Sequence, residues 1–242
     1  MEKGKLGVIG GMGPQATIQF CQRIVDLTDA RSDQEHLPML ILNDTQMPDR
    51  TAALLSGDGA GVERRLLADA RTLEEWGATA IAVTCNTAHA FLPAVQKELK
   101  TPIIHMVEET AKAVKALGCG KVGILGTDGT LKTGLYHAAL EKRGIQVLSP
   151  SPEAQAQVMS IIYDEIKRGL AGSEEKFAAA DRELRDRGCE RIILACTELS
   201  TYKDWHKLDG FYVDAMDVLA RRCVEACGYP LRERTSQGGA CS

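Results

Sequence analysis

Two cysteines stand at equivalent places in two similar stretches of the chain. Cys85 ends the apolar run 81–85, and Cys196 ends the apolar run 192–196. A free thiol has a pKa of ~8.5, so it can serve as an acid or, once ionised, as a base. One thiolate and one thiol on opposite sides of a carbon could remove a proton from one face and return one to the other. The pair therefore indicates proton-transfer chemistry across a shared cleft.

The cysteine runs belong to a larger internal similarity. Residues 5–10 match residues 121–126, and Gly13 falls on Gly129. The offset is about 116 residues at these positions and about 111 at the cysteines, which is too long for a solenoid repeat and suits a duplicated domain of ordinary size. Chance similarity between short strands rich in Val, Ile and Gly is the alternative.

The order of predicted elements indicates an α/β fold, because strands alternate with helices as they do in mainly parallel sheets. We predict strands at residues 6–10, 39–43, 81–85, 122–126, 146–148 and 192–196. We predict helices at residues 16–28, 62–76, 90–100, 108–117, 131–143, 154–168, 174–187 and 213–227. We expect the last helix to return to the first half. The predicted domains are then 1–102 plus 210–230 and 103–209, followed by a disordered tail at 231–242.

Charge and composition argue against several classes of function. The 242 residues carry a formal net charge of −4, which does not favour binding to nucleic acid or to an anionic membrane surface. No apolar run reaches the ~18 residues of a membrane helix, and no signal peptide is evident, so we expect a cytoplasmic protein. The eight cysteines include no CxxC pair and are expected to remain thiols, so no metal site is predicted.

A glycine-containing turn follows the first strand of each half. Residues 10–16 fit the pattern G-x-G-x-x-A. A dinucleotide site would also require an acidic residue at the end of the second strand, but here Asp33 and Glu35 precede that strand. The matching turn, 126–130, carries Asp128 where a pyrophosphate would lie. We therefore predict two small anion-binding turns and no cofactor.

Two cationic side chains could hold the carboxylates of a small acidic ligand. Arg50 lies just beyond the second predicted strand, and its guanidinium suits a bidentate grip on a carboxylate. Lys167 lies near the end of the predicted helix 154–168, where position alone favours a solvated lysine. His89 could pair with Cys85, but its place four residues further on favours a structural or supporting role.

Taken together, these motifs closely resemble the aspartate/glutamate racemase family, in particular its aspartate racemase branch. The resemblance spans roughly residues 5–228, and the motifs occur in the expected order. Ala195 stands where the family usually has glycine. The motifs are GVIGGMGP at 7–14, MPDR at 47–50, CNTAH at 85–89, IYDEIKRG at 162–169 and ACTEL at 195–199.

The resemblance implies a cofactor-independent racemase of two pseudo-symmetric three-layer α/β domains, with the active site in the cleft between them. Cys85 and Cys196 match the two catalytic cysteines, one of which takes the α-proton while the other protonates the opposite face. Arg50 and Lys167 match the substrate-anchoring residues, which reverses the positional expectation for Lys167. Further matches to substrate-binding positions are Met12, Asn86, Thr87, Thr127 and Thr197. Relatives are often homodimers, so a homodimer is expected here as well.

Several functions remain open at this level. Interconversion of L- and D-aspartate is the first expectation. Glutamate racemisation, broad-specificity amino-acid racemisation and a maleate isomerase-like reaction are related alternatives. Arg50 together with Lys167 favours an acidic amino acid over a hydantoin or aryl substrate. Outside this class, a nucleotide-binding or thiol-redox module would bind a dinucleotide or form a reversible disulfide between Cys85 and Cys196.

Overall fold

Two parallel β-sheets form the frame of the molecule, in a computed structural model that describes residues 3–233. The fold class is the predicted one, α/β with parallel strands. Among the described residues, no helix is long and apolar enough to cross a membrane. Of the predicted tail, Leu231 forms an antiparallel bridge with Thr28, and residues 234–242 lie outside the described residues.

The first sheet has three strands, with β1 between the other two. All residues of β1 are buried, as expected for a short continuous apolar run covered on both faces. Leu6 pairs with Met39 on one side and with Ala80 on the other. The strands are β1 (Leu6–Gly10), β2 (Met39–Asn43) and β3 (Ala80–Val83), and the helices of this half are α1 (Pro14–Leu27), α2 (Arg50–Ser56), α3 (Ala60–Glu75) and α4 (Leu92–Gln96).

The second sheet has four strands in the order β5-β4-β6-β7. The part β5-β4-β6 repeats the order β2-β1-β3 of the first sheet, which agrees with the internal similarity of the sequence. The strands are β4 (Lys121–Gly126), β5 (Gln146–Leu148), β6 (Arg191–Ala195) and β7 (Tyr212–Asp214). The helices are α5 (Met106–Ala116), α6 (Asp128–Lys132), α7 (Leu135–Glu141), α8 (Pro152–Ser160), α9 (Glu174–Asp186), α10 (Thr197–His206) and α11 (Ala215–Ala226).

A shared hydrophobic core joins the two sheets. Val8 of β1 and Ile124 of β4 belong to one cluster of buried side chains, to which α1, α5 and α11 also contribute. Helix α11 packs against both α1 and α5. Separate clusters include Leu66 of α3 with the first sheet and Leu184 of α9 with the second. Burial of this apolar surface, at ~25 cal/mol per Å², fixes the two sheets against each other.

Several predicted helices differ from the observed ones. The predicted helix 131–143 is divided into α6 and α7 by Gly134, whose φ of 64° lies in the left-handed region. The predicted helix 213–227 begins instead as β7, so 192–196 is not the last strand of its half. The predicted helix 90–100 is reduced to α4, preceded by a 3₁₀ turn.

The predicted helix 154–168 changes its winding where it approaches the ends of the sheets. Helix α8 ends at Ser160, a wider π-helical turn follows at Ile161–Glu165, and a 3₁₀ turn at Ile166–Arg168 completes the segment. Wide turns of this kind are frequent at functional sites because they re-aim side chains. Here they place Tyr163 and Lys167 on the wall of the same cavity.

Candidate active site

One narrow cavity lies beyond the carboxyl ends of β3 and β6, where the two halves meet. All nine residues singled out from the sequence line it. Five come from the first half of the chain and four from the second. They are Met12, Arg50, Cys85, Asn86, Thr87, Thr127, Lys167, Cys196 and Thr197. Ligands of open α/β sheets bind at this edge of the strands, so the location is the expected one for a functional site.

The two strands deliver the two cysteines in equivalent ways. β3 ends two residues before Cys85, and β6 ends directly before Cys196, which is the N-cap residue of α10. The residues are 6% and 5% exposed, so both thiols are almost sealed from solvent. A buried thiol far from solvent can exchange a proton with a bound molecule without competition from bulk water.

The surroundings of Cys85 are cationic. Arg50, the first residue of α2, donates hydrogen bonds to the carbonyl oxygens of Met12 and Pro48, both at 3.0 Å. Burial alone would lower the pKa of Arg50, but the neighbouring Cys85 sulfur and Asp49 raise it. The guanidinium Nε atom has no hydrogen-bond partner within the described chain. Arg50 therefore offers a fixed positive charge, with a spare donor, beside the first sulfur.

The surroundings of Cys196 are different, because a carboxylate lies against the thiol. Cys196 Sγ donates to Glu198 Oε2 at 2.9 Å, and Lys167 Nζ donates to the other oxygen of Glu198 at 2.7 Å. Burial raises the pKa of Cys196 well above the usual range of a thiol, and the negative charge of Glu198 raises it further. Burial would lower the pKa of Lys167, but Glu198 and the two sulfurs outweigh burial and raise it. Cys196 is thus held as a protonated thiol.

A cluster of hydroxyl groups forms another wall. Thr87 Oγ1 lies 3.0 Å from both Thr127 Oγ1 and Thr130 Oγ1, and Thr51 Oγ1 donates to Thr127 at 3.4 Å. The phenol of Tyr163 donates to Thr51 Oγ1 at 3.1 Å. Because each hydroxyl can donate once and accept twice, the cluster can turn its donors toward a bound carboxylate.

Asn86 presents an unused donor next to Cys85. Its side-chain oxygen accepts a hydrogen bond from the buried phenol of Tyr136, whose pKa is raised by burial. Its Nδ2 atom is buried and has no partner among residues 3–233. A buried donor without a partner is costly, so a ligand oxygen is the natural acceptor for this group.

His89 supports the loop that follows β3 but does not line the cavity. Its Nδ1–H donates to the carbonyl oxygen of Cys85 at 2.8 Å, and its ring meets His105 edge-on with centroids 4.8 Å apart. Complete burial, with a contribution from His105, lowers the pKa of His89 to about 3. The imidazole is therefore neutral and holds the backbone of the first cysteine.

Three lining residues were not singled out from the sequence: Thr51, Tyr163 and Glu198. Thr51 directly follows the motif that ends at Arg50, Tyr163 lies in the motif that contains Lys167, and Glu198 lies two residues after Cys196. For Glu198, the available signal was a carboxylate close behind a cysteine that follows a strand. Among the described residues, no group of three or more His, Cys, Asp or Glu side chains could hold a metal ion.

A second, wider pocket opens next to this cavity. It shares Met12, Arg50, Tyr163, Lys167 and Glu198 with the inner cavity and extends along the glycine turn at the start of α1. A Cβ atom on Gly13 would lie 3.2 Å from Glu198 Oε1, so this turn passes close to the carboxylate of Glu198. The outer pocket thus adjoins the cavity that the two thiols line.

Comparison with known proteins identifies the class to which this fold and cavity belong. The chain matches the family model "Asp/Glu/Hydantoin racemase" over residues 9–223. It therefore belongs to the Asp/Glu/Hydantoin racemase family.

Individual relatives are similar to this protein along nearly the whole chain. The structure of Picrophilus torridus aspartate racemase is 29% identical and superposes with a TM-score of 0.82, covering 95% of this chain and 96% of that one. An aspartate racemase homologue from Pyrococcus horikoshii is 24% identical, with a TM-score of 0.75 and coverage of 93% and 99%, and it shows the same fold. The broad specificity amino-acid racemase RacX of Bacillus subtilis is 27% identical over 223 residues, which are 90% of this chain and 96% of RacX.

Proposed function

We propose that the protein interconverts the enantiomers of an acidic amino acid, most strongly aspartate, with Cys85 and Cys196 as the two acid–base groups. The observation that carries this proposal is that both thiols line one buried cavity, with a cation beside one and a carboxylate beside the other. In this proposal, side chains of the protein both transfer the protons and stabilise the carbanion, so pyridoxal phosphate takes no part.

The proposed reaction moves two protons. The Cys85 thiolate, beside Arg50, removes the α-proton, and Cys196 donates its S–H proton to the opposite face of the same carbon. The opposite enantiomer is converted by the reverse sequence, with Cys196 as base and Cys85 as acid. Such a transfer requires the two sulfurs to lie in line with the Cα–H bond, on opposite sides of the substrate carbon.

The α-proton of an amino acid is far less acidic than a thiol, so the site must stabilise the carbanion as it forms. The candidate groups are the unpaired Nδ2 donor of Asn86, the hydroxyls of Thr87 and Thr127, and the guanidinium of Arg50. Donors that are already fixed in place can stabilise developing charge on the α-carboxylate without reorganising. Arg50 and Lys167 would also attract a second carboxylate, which favours an acidic substrate.

A second candidate is racemisation of a wider set of amino acids. The observation that favours it is the likeness to RacX along nearly the whole chain. The wide outer pocket adjoining the thiols could accept longer side chains than that of aspartate. Glutamate and neutral amino acids therefore belong in any test of substrate.

The experiment is incubation of the purified protein with each enantiomer of aspartate, glutamate and alanine in deuterated water. We expect loss of optical rotation together with α-deuterium uptake, fastest with aspartate. Equal rates for all three amino acids would support broad specificity instead. No label uptake and no loss of rotation with any of these amino acids would contradict the proposed function.

A further inference from the structure

Glu198 is a buried carboxylate that touches one of the two thiols directly. It lies in the first turn of α10 and is 5% exposed. One oxygen, Oε2, accepts from Cys196 Sγ at 2.9 Å and from Thr197 Oγ1 at 3.3 Å, and the other accepts from Lys167 Nζ at 2.7 Å. The side chain thus bridges a thiol and an ammonium group inside the cavity.

The titratable groups that face Cys196 come from several elements. Glu198 of α10 and Lys167 of the turn after α8 are the nearest, and Tyr163 and Tyr136 also interact with its sulfur. Cys85 lines the same cavity. Of these groups, Glu198 opposes a negative charge on Cys196 and Lys167 favours one.

Cys85 has the opposite arrangement. Arg50 lies against its sulfur, and Lys167 also senses its charge. Among the described residues, no carboxylate accepts a hydrogen bond from Cys85, whereas Glu198 accepts one from Cys196. The cavity therefore has a cation beside one sulfur and a carboxylate beside the other.

We propose that Glu198 is a positioning residue that keeps the resting proton on Cys196, and so decides which cysteine of the free protein is the acid. This inference rests on the proposed function, since it assigns starting roles within that reaction. It also predicts a property of the protein without substrate.

The proton balance shows what Glu198 does during turnover. The α-proton passes to the Cys85 sulfur while the Cys196 proton passes to carbon, which leaves Cys85 as a thiol and Cys196 as a thiolate. The new thiolate then faces the carboxylate of Glu198, and Lys167 supplies the compensating charge. This product form is less stable than the resting form, so the protein returns to the resting form by exchanging one proton between each sulfur and solvent.

The test measures the ionisation of each thiol in the folded protein. Wild type, Glu198→Gln and Lys167→Gln are alkylated with iodoacetamide across a pH series, and each cysteine is quantified by peptide mass spectrometry. In wild type, Cys196 should react only at a pH above the usual range of a thiol, because burial and Glu198 raise its pKa. Glu198→Gln should move the Cys196 midpoint down by about one to two pH units, because a neighbouring negative charge is lost. Lys167→Gln should move that midpoint up.

The opposite signs separate an electrostatic role from a structural one, since simple loosening of the cavity would move both variants in the same direction. Glu153→Gln, the same change in the first turn of α8 at an exposed position, is the matched control and should leave both midpoints unchanged. If Glu198→Gln does not fold, the upward shift in Lys167→Gln still tests the inference. An unmoved or raised Cys196 midpoint in folded Glu198→Gln would overturn it, and so would an unmoved or lowered midpoint in Lys167→Gln.

A kinetic measurement adds a second readout. Because the equilibrium constant of racemisation is one, kcat/KM must be equal for the two enantiomers. The kcat values of the two enantiomers can still differ, provided that their KM values differ by the same ratio. A preferred resting form contributes to this ratio, so we expect the ratio to move toward one in Glu198→Gln. If the protein racemises aspartate but the Cys196 midpoints do not move in the variants, the proposed function stands and this inference fails. If the midpoints move but the protein does not racemise, the assignment of the resting proton stands and the proposed function fails.

Discussion

The two halves of the molecule share a frame but differ in the charge that they place beside their cysteines. The strand order β2-β1-β3 recurs as β5-β4-β6, and a cysteine follows the equivalent strand in each half. In the first half the neighbour is the cation Arg50, and in the second it is the carboxylate Glu198 with its partner Lys167. The duplicated frame thus supplies two thiols at one site, and the charged side chains beside the two thiols differ between the halves.

This difference suits a reaction with two acid–base groups. Two thiols in identical surroundings would tend to be both protonated at neutral pH, since a free thiol is mostly protonated there. The carboxylate of Glu198 instead keeps the proton on one of the two, Cys196. Changes beside Cys85 and changes beside Cys196 should therefore affect different properties of the protein.

Loss of either thiol should remove racemisation. We expect Cys85→Ser and Cys196→Ser each to lower the rate of aspartate racemisation by about a thousandfold or more, since each removes one of two required proton-transfer groups. Chiral chromatography of the product measures the rate. Cys189→Ser, a buried cysteine outside the cavity, is the control and should retain activity. If either cavity variant keeps wild-type activity, that cysteine is not an acid–base group.

The contact between the halves should depend on a buried ion pair. Asp214 of β7 accepts from Arg23 of α1 at 2.6 Å and from Ser200 at 2.6 Å. Removal of one partner of such a pair leaves the other uncompensated, so Asp214→Asn should lower the free energy of unfolding by about 3 kcal/mol. Urea unfolding at neutral pH measures this, with the exposed Asp186→Asn as control. An effect no larger than that of the control would contradict the role of the pair.

The same pair gives a pH dependence. Burial would raise the pKa of Asp214, but Arg23 and Lys203 outweigh burial and lower it. A carboxylate with a lowered pKa in the folded state stabilises the protein above its unfolded pKa, which is ~4, and this contribution disappears as pH falls through the folded pKa. We therefore expect the stability difference between wild type and Asp214→Asn to shrink as the pH falls below ~4. A difference that stays constant with pH would argue against this assignment.

Substrate charge should be recognised on the Cys85 side. Arg50→Gln should raise KM for aspartate about 10–100-fold, since a charged hydrogen bond contributes ~1.5–3 kcal/mol. KM for alanine should rise less, because alanine has no second carboxylate. Initial rates over a range of both substrates measure this, and Arg64→Gln on the exposed face of α3 is the control. Equal losses for the two substrates would indicate that Arg50 contacts only the α-carboxylate.

The smallest effect should come from the hydroxyl that links the two halves. Tyr163→Phe removes one hydrogen bond to Thr51, which contributes ~1 kcal/mol. We expect kcat/KM to fall about threefold to tenfold, with the Cys85 and Cys196 alkylation midpoints unchanged. Tyr202→Phe, at a tyrosine buried in the core of the second half, is the control. A loss as large as that of the cysteine variants would give Tyr163 a direct part in proton transfer.

Much of this arrangement could be predicted from the sequence, because it depends on local pattern. The strands Met39–Asn43 and Gln146–Leu148 have the predicted bounds, since short apolar runs between turn residues favour strands. Most of the nine predicted residues line one cavity because parallel strands bring the residues after their carboxyl ends to the same edge, whereas Lys167 was assigned only through the family resemblance. The roles of these residues remain predictions.

The rest depends on contacts between distant parts of the chain. Strand β7 has three residues and runs directly into α11, so only its pairing with β6 distinguishes it from the helix. The π-helical turn contains Tyr163, and Lys167 follows in the next 3₁₀ turn. No proline or glycine lies inside the π-helical turn to mark it in the sequence. The link from Glu198 to Lys167 joins residues 31 positions apart, so no periodicity could reveal it.

The most direct test of the central claim is α-hydrogen exchange by the two single-cysteine variants in deuterated water. Each of Cys85→Ser and Cys196→Ser keeps one thiol, on one side of the substrate carbon. The account predicts that one variant exchanges the α-hydrogen of L-aspartate alone and the other that of D-aspartate alone, each without racemisation. Exchange of the same enantiomer by both variants, or racemisation by either, would contradict two sulfurs acting on opposite faces of one carbon.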